Sequence, residues 1–491
     1  MNQLLSAMTD TNNVTSTENG AGAFKSTKSN VLDFFAIGAA MRERSEKDQV
    51  DIFASAWMED PELALKVMFY ARDIRGGQGQ RGAFRHQLKY LADVSPETVR
   101  ANLHLISEYG RWDDLYELVG TKVEKDAFAL IKKQLMLDMG NPERPSLLAK
   151  WMKSENASSK QTIALATKTR KYLGFGSANY RKILSALREQ LNVIERQMSA
   201  GDWENVEYSH VPSLAMMKYR KAFAKHDETG FQNFIAKVNK GEATINSGVL
   251  YPYEIVEKVG VFNYRWSSAP EIDPQLAQAM WDGLPDYVDG DDGNAIAVVD
   301  TSGSMSGTPI NVAVSLGMYF AERNSGAFKD HFITFNNTPE LVKIQGNDFV
   351  SKVHHIGKAN WGGSTNLEAT FHLILNSAVA NNVPQEEMPK KLFIISDMQF
   401  NCVQGGTNQT LFDRMKELYA RAGYEMPSVV FWNVNGRQSN QPVTMDERGT
   451  QLVSGFSPSI FSHIMGAAFE TPYEMMLKVL GSERYEAFKV V

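Results

Sequence analysis

Three short polar loops hold the side chains with the clearest chemistry. Asp300-Thr301-Ser302-Gly303-Ser304 begins at the last residue of the apolar run AIAVVD (295–300), Trp361-Gly362-Gly363-Ser364-Thr365-Asn366 precedes a helical pattern, and Asp397 ends the apolar run LFIISD (392–397). Two carboxylates with three hydroxyls make an all-oxygen donor set, which suits a hard divalent cation of near-octahedral habit. The same residue types also cap helices, with Ser302 or Ser304 opening the helix after the first run. A pair of aspartates can also serve metal-assisted hydrolysis. No candidate base or leaving-group acid accompanies them in these loops, so no catalytic residue is assigned and the chain is expected not to be an enzyme.

The surrounding elements explain why three distant loops would meet. AIAVVD is short, β-branched and wholly apolar until its carboxylate, as a central parallel strand buried on both faces must be. After it come the helix TPINVAVSLGMYFAER, the strands HFITF (331–335) and LVKI, and a helix from Asn366 to Ala380. LFIISD, the helix TLFDRMKELYARA and the strand SVVFWNV (428–434) follow. Strands alternating with helices predict an α/β doubly wound sheet covered on both faces. Such sheets bind ligands outside the carboxyl ends of their strands, where all three loops fall.

In order and placement, Asp300-x-Ser302-x-Ser304, Thr365 and Asp397 resemble the metal-ion-dependent adhesion site of von Willebrand factor A domains, and the resemblance covers roughly residues 290–490. It implies that Ser302, Ser304 and Thr365 ligate Mg2+ (or Mn2+) directly, while Asp300 and Asp397 act largely through water. One position would then remain for an acidic group of a protein partner. Neutral hydroxyls leave the cation under-neutralised, so an incoming carboxylate would bind tightly.

Upstream of this region the pattern is helical. Residues 1–30 are rich in Ser, Thr, Asn and Gly and read as a flexible arm, or one that orders on a neighbour. From Val31 to about 285, segments such as VLDFFAIGAAMRER, DPELALKVMFYARD and SPETVRANLHLISEYG carry helix starts and helical periodicity without a strand signal for some 200 residues. Helices of this length joined by brief turns predict an all-α, HEAT-like helical-repeat domain, a solenoid or ring in preference to a compact bundle. The joint GLPDYVDGDDGN (283–294) ends it. The expected domains are therefore 1–30, 31–285 and 286–491.

Net charge is −6, but its distribution is uneven. Lys150, Lys153, Lys160, Lys168, Arg170, Lys171, Arg181, Lys182 and Arg188 face the single acid Glu155 between positions 150 and 188. A solvated helix face is the ordinary meaning of a charge run. The near absence of acids favours a polyanion, with Lys and Arg on phosphates and Tyr172, Phe175 and Tyr180 available to stack on bases. A second cluster, Arg72, Arg75, Arg81 and Arg85, surrounds Gly76-Gly77-Gln78-Gly79, whose glycines permit close approach to a phosphate or simply join helices. Cys402 is the only cysteine and reads as a packing residue in a reducing cytoplasm. The nine histidines have no metal-protease spacing. No run approaches the roughly 20 apolar residues that span a bilayer, so no membrane partner is expected.

A helical-repeat domain followed by a von Willebrand A domain resembles the Ro autoantigen family, built on the TROVE module. The stretches 71–91, 111–118 and 149–159 are similar to Ro-like proteins of bacteria and viruses. The resemblance implies a ribonucleoprotein in which a helical ring binds single-stranded or structured RNA, while the metal domain closes the ring or recruits a partner. The alternative is an assembly scaffold that captures a partner carboxylate at the metal site.

Overall fold

The computed structural model describes residues 10–262, 271–288, 294–401, 411–466 and 470–491. Cys402 and part of the expected joint, 289–293, lie outside the described residues. The chain folds as two compact units. A sheet unit comprises Met1–Ala71, Arg75–Gln80 and Ser247–Ala487, and a helical unit comprises Arg72–Ile74, Arg81–Asn246 and Phe488–Val491.

The strands of the sheet unit are β1 (Val14–Ser16), β2 (Gly22–Phe24), β3 (Ala295–Asp300), β4 (His331–Phe335), β5 (Leu341–Lys343), β6 (Lys391–Ser396), β7 (Ser428–Asn433) and β8 (Thr450–Ser454). Six of them form one sheet in the order β5-β4-β3-β6-β7-β8. All neighbours are parallel except β5, which runs antiparallel to β4. Every residue of β3, β6 and β8 is buried, so both faces of the sheet are covered. Helix Thr308–Arg323 lies against it, with the Phe320 ring 4.8 Å from that of Phe393 on β6. Chain order reverses at β3: β4 and β5 add on one side, β6 to β8 on the other. The crevice of a doubly wound sheet opens at such a reversal, between the carboxyl ends of β3 and β6.

Three stretches expected in the helical domain, 31–71, 75–80 and 247–285, instead belong to the sheet unit. Helix Asn30–Gly38 buries Val31, Leu32, Phe34, Phe35, Ala36 and Ile37, and a helix apolar on every side needs cover on every side. From β8, Ser454 Oγ donates to Phe35 O at 2.9 Å and accepts from Ala39 N at 3.3 Å. Helix Pro274–Asp282 likewise seats Trp281 4.7 Å from Phe349, its indole N–H donating to Glu322 Oε2 at 2.6 Å.

The expected arm is a β-hairpin in its described part. Val14, Thr15 and Ser16 pair with Phe24, Ala23 and Gly22. At the tip Gly20 N donates to Thr17 O at 3.0 Å and Thr17 N to Ala21 O at 2.8 Å. Gly20 takes a positive φ of 86°, as a three-residue hairpin loop with a glycine bulge requires.

Within the helical unit every described element is a helix, and an ion-pair network sits in its core. Arg72 is 1% exposed and Asp114 fully buried. Arg72 Nε and Nη2 donate to Asp114 Oδ2 at 2.9 and 2.7 Å, and Arg85 Nε donates to Oδ1 at 2.7 Å. Arg72 and Arg85 were expected to touch RNA; both are internal counter-charges to Asp114. The neighbouring glycine loop, in the sheet unit, is also structural. Gln78 is 1% exposed, its Oε1 accepting from Ser457 N at 3.0 Å, and Ser459 Oγ donates to Gly77 O at 3.2 Å. Gly79 has φ +62°, and a Cβ there would lie 2.0 Å from Tyr251 Oη. Close packing against the Tyr251 side chain, together with the positive φ, accounts for Gly79. Among the described residues no helix is long and apolar enough to cross a membrane.

Removing one member of a buried pair leaves the other charge uncompensated. Asp114→Ala is therefore expected to destabilise the helical unit by about 3–5 kcal/mol, read as a lowered urea midpoint of the full chain. A loss below about 1 kcal/mol would show that the network contributes no more than a surface pair.

Candidate functional site

The crevice between β3 and β6 gathers the sequence-predicted oxygen donors. Asp300, the last residue of β3, is fully buried. Its Oδ1 accepts from Ser302 N at 2.9 Å and its Oδ2 from Ser396 Oγ, the end of β6, at 2.5 Å. Ser302 Oγ lies 3.1 Å from Ser304 Oγ, and the Ser304 side chain hydrogen-bonds Asp397. Asp397 Oδ1 accepts from Gln399 N at 3.1 Å, and Gln399 O accepts from Thr365 Oγ1 at 2.7 Å. A continuous chain of contacts thus links all five residues. Between Asp397 and Gln399, Met398 sits in left-handed backbone at φ 63°, a strained conformation for a long side chain that recurs at functional loops.

The electrostatics are unbalanced. Burial, and then the charge of Asp397, push the Asp300 carboxyl up to about 7, against the pull of the Ser396 and Ser302 hydrogen bonds. Burial likewise raises Asp397, opposed by Ser304 and the Gln399 amide, with Glu18 adding to the rise and Arg437 countering it. Arg437 is itself paired with Glu43 at 2.8 Å. The hydroxyl of Thr301, buried and lying in sequence between Asp300 and Ser302, has no hydrogen-bond partner among the described residues. Two buried carboxylates, neutral hydroxyls and an orphaned oxygen form a set short of positive charge, and a hard divalent cation fits it.

Sequence reasoning missed what lies across this rim. At the hairpin tip, Thr17 Oγ1 donates to Phe400 O at 2.6 Å, Glu18 N to Gln399 Oε1 at 2.9 Å, and Asn19 Nδ2 to Gln399 O at 2.7 Å and Thr365 Oγ1 at 3.2 Å. Gly20 pairs with Asn401. The available signal was Asn19-Gly20, a turn dipeptide flanked by short β-capable runs.

The basic segment forms part of a second site, in the helical unit. A cleft of about 1140 Å³ is lined by seven cations, Lys150, Lys153, Arg181, Lys182, Arg188, Arg196 and Lys218, against Glu155 and Glu195. Lys160, Lys168, Arg170 and Lys171 are not among its lining residues. Lys168 pairs with Glu124 at 2.6 Å and Arg170 with Glu155 at 2.7 Å. Arg188 donates to Ala149 O, Met152 O and Ser154 Oγ at 2.8–2.9 Å and so braces the cleft wall. Burial pulls the Lys153 ammonium below its usual range, while Asp113, 3.8 Å away, raises it. Arg181 and Lys182 stand exposed on helix Ser177–Gln190. The expected stacking partner Tyr180 is buried, its hydroxyl donating to Lys153 O at 2.7 Å, and Tyr172 stacks on Phe128 at 5.2 Å. Tyr180 and the half-buried Trp151 both line the cleft, and Trp151 has Arg111 4.0 Å and Lys150 5.6 Å from its ring. Arg75 and Arg81 are exposed, Arg75 in the sheet unit and Arg81 in the helical unit.

The raised Asp300 carboxyl gives a signed pH dependence. A carboxyl that burial raises above its unfolded value costs nothing at a pH below the lower of the two. The cost grows as pH rises between the two and is complete above the higher. In EDTA, Asp300→Asn is therefore expected to raise unfolding free energy at pH 8 by about 1 kcal/mol or more, with the gain vanishing toward pH 4. Equal stabilities of the two proteins at pH 8 would contradict the electrostatic reading.

Residues 17–172 and 145–288 match the model described as Domain of unknown function (DUF2828), and residues 294–486 match Domain of unknown function (DUF7788). Uncharacterized protein L728 of Acanthamoeba polyphaga mimivirus is 30% identical over 512 residues, covering 95% of this chain and 87% of the viral protein. Among solved structures, the Ro (RSR) protein of Deinococcus radiodurans aligns at 12% identity with a TM-score of 0.34, covering 93% of this chain and 100% of that one. On the DUF2828 match, which takes in more than half of its residues, and on this viral relative, the chain belongs to the DUF2828 family.

Proposed function

We propose that this chain is a non-enzymatic, Ro-like RNA-binding protein whose helical unit holds RNA in the basic cleft and whose sheet unit carries a divalent cation, Mg2+ or Mn2+. The observation that supports RNA is the convergence of seven cations and Trp151 on one cleft that contains two acids. Phosphates would meet Lys150, Arg181, Lys182 and Lys218, the residues with chain to extend, while Arg188 and Lys153 hold the wall. Trp151 offers a ring face to an unpaired base, a contact indifferent to sequence. Single-stranded RNA fits better than a duplex, because only unstacked bases offer that face.

Asp300, Ser302, Ser304, Thr365 and Asp397 would hold the cation, which when bound supplies the positive charge that the two buried carboxylates lack. The alternative, an assembly scaffold that captures a partner carboxylate, draws its support from this rim alone. The two readings part at the cleft. With Arg181→Glu and Lys182→Glu together, affinity for a single-stranded RNA is expected to fall by about tenfold or more near 0.1 M salt. The slope of log K against log salt should shrink by about 1 to 2. Unchanged RNA affinity and slope would sink the RNA reading and leave the scaffold.

A further inference from the structure

Four side-chain and backbone groups of the tip Thr17–Gly20 are tied to the segment 399–401 and to Thr365. Those bonds fix Glu18, an exposed carboxylate, beside a rim that already holds two buried ones. Gln438 Nε2 donates to Glu18 Oε1 and orients the carboxylate further. A hairpin that carries an acid to a rim with two other acids is electrostatically wrong in isolation, and Arg437, next to Gln438 in sequence, is engaged by Glu43.

Resting on the cation reading above, we propose that the N-terminal hairpin is clamped through the cation, with Glu18 as an outer-shell acid in the position otherwise open to a partner's carboxylate. Among the described residues no three His, Cys, Asp or Glu side chains close into a direct cage. Glu18 therefore acts across the cation's retained water, which Mg2+ gives up reluctantly. Asn19, donating to Thr365 Oγ1, leaves that hydroxyl a lone pair for the cation and sets the tip's register on the rim. Cation binding and hairpin docking are then positively and reciprocally coupled, and an external acidic partner engages only by displacing the tip.

The test uses the full chain, Mn2+ titration calorimetry and hydrogen exchange of residues 14–24 with and without Mg2+. Wild type is expected to bind, Asp300→Asn to bind far more weakly, and Mg2+ to slow exchange in the wild-type hairpin. Glu18→Gln, an exposed isosteric change, is expected to weaken cation affinity by about tenfold and to reduce the protection that Mg2+ gives the hairpin. If Glu18→Gln binds like wild type and hairpin exchange ignores Mg2+, the clamp is wrong while the cation site stands. If wild type binds no cation, or Asp300→Asn binds as well as wild type, the cation reading itself fails and the clamp with it.

Discussion

Two parallel strands, β3 and β6, lie side by side and deliver aspartates to one buried crevice, and much of the sheet unit answers that placement. A carboxylate out of water loses most of its solvation, and a second beside it adds repulsion that the low local dielectric does not screen. The protein meets the problem with hydroxyls and backbone N–H groups: Ser302 N and Ser396 Oγ on Asp300, Ser304 and Gln399 N on Asp397. These orient the oxygens without neutralising them. The left-handed turn at Met398 and the Thr301 hydroxyl, which has no hydrogen-bond partner among the described residues, belong to the same crevice.

How much of this could be read from residues alone differs sharply between segments. β3, β4 and β6 announce themselves, because a strand buried on both faces must be continuously apolar, and the aspartates at two of their ends place the crevice. β8, Thr450–Ser454, has Thr, Gln and Ser among its five residues, all buried, and loses that signature. The helix Asn30–Gly38 was legible as a helix but not as part of the sheet unit. Its apolar residues run round the whole circumference, a sign of burial on all sides that local periodicity does not assign to any partner. The hairpin Val14–Phe24 is hardest, since Thr, Ser and Gly dominate it, and the long-range hydrogen bonds that order it have no local trace.

Charge tells a similar story in the helical unit. Nine bases within 39 positions suggest a continuous positive face, yet folding sorts them by geometry. Lys168 and Arg170 are neutralised by Glu124 and Glu155, Arg188 is turned onto backbone carbonyls, and Arg196 and Lys218 arrive at the cleft from later helices. Outside the segment, Arg72 and Arg85 are drawn inward by Asp114, an acid about 30 to 40 positions away in sequence. Linear charge density thus located the region of the cleft while naming only some of the bases that line it. Which bases remain available depends on acids and carbonyls that sequence proximity does not reveal.

Net acidity does not oppose a polyanion at such a cleft. The overall charge of −6 is distributed over an accessible surface of 22037 Å², and salt screens exposed charges beyond about 8 Å at physiological strength. Within that distance a phosphate entering the cleft meets mostly its lining, where bases outnumber acids. The remote acids act chiefly on the approach, where they slow encounter and raise sensitivity to salt. A cleft that took a polyanion would need a concave local excess of cations, not a basic protein, and the segment from Lys150 to Arg188 supplies most of the bases that line this one, between Trp151 and helix Ser177–Gln190.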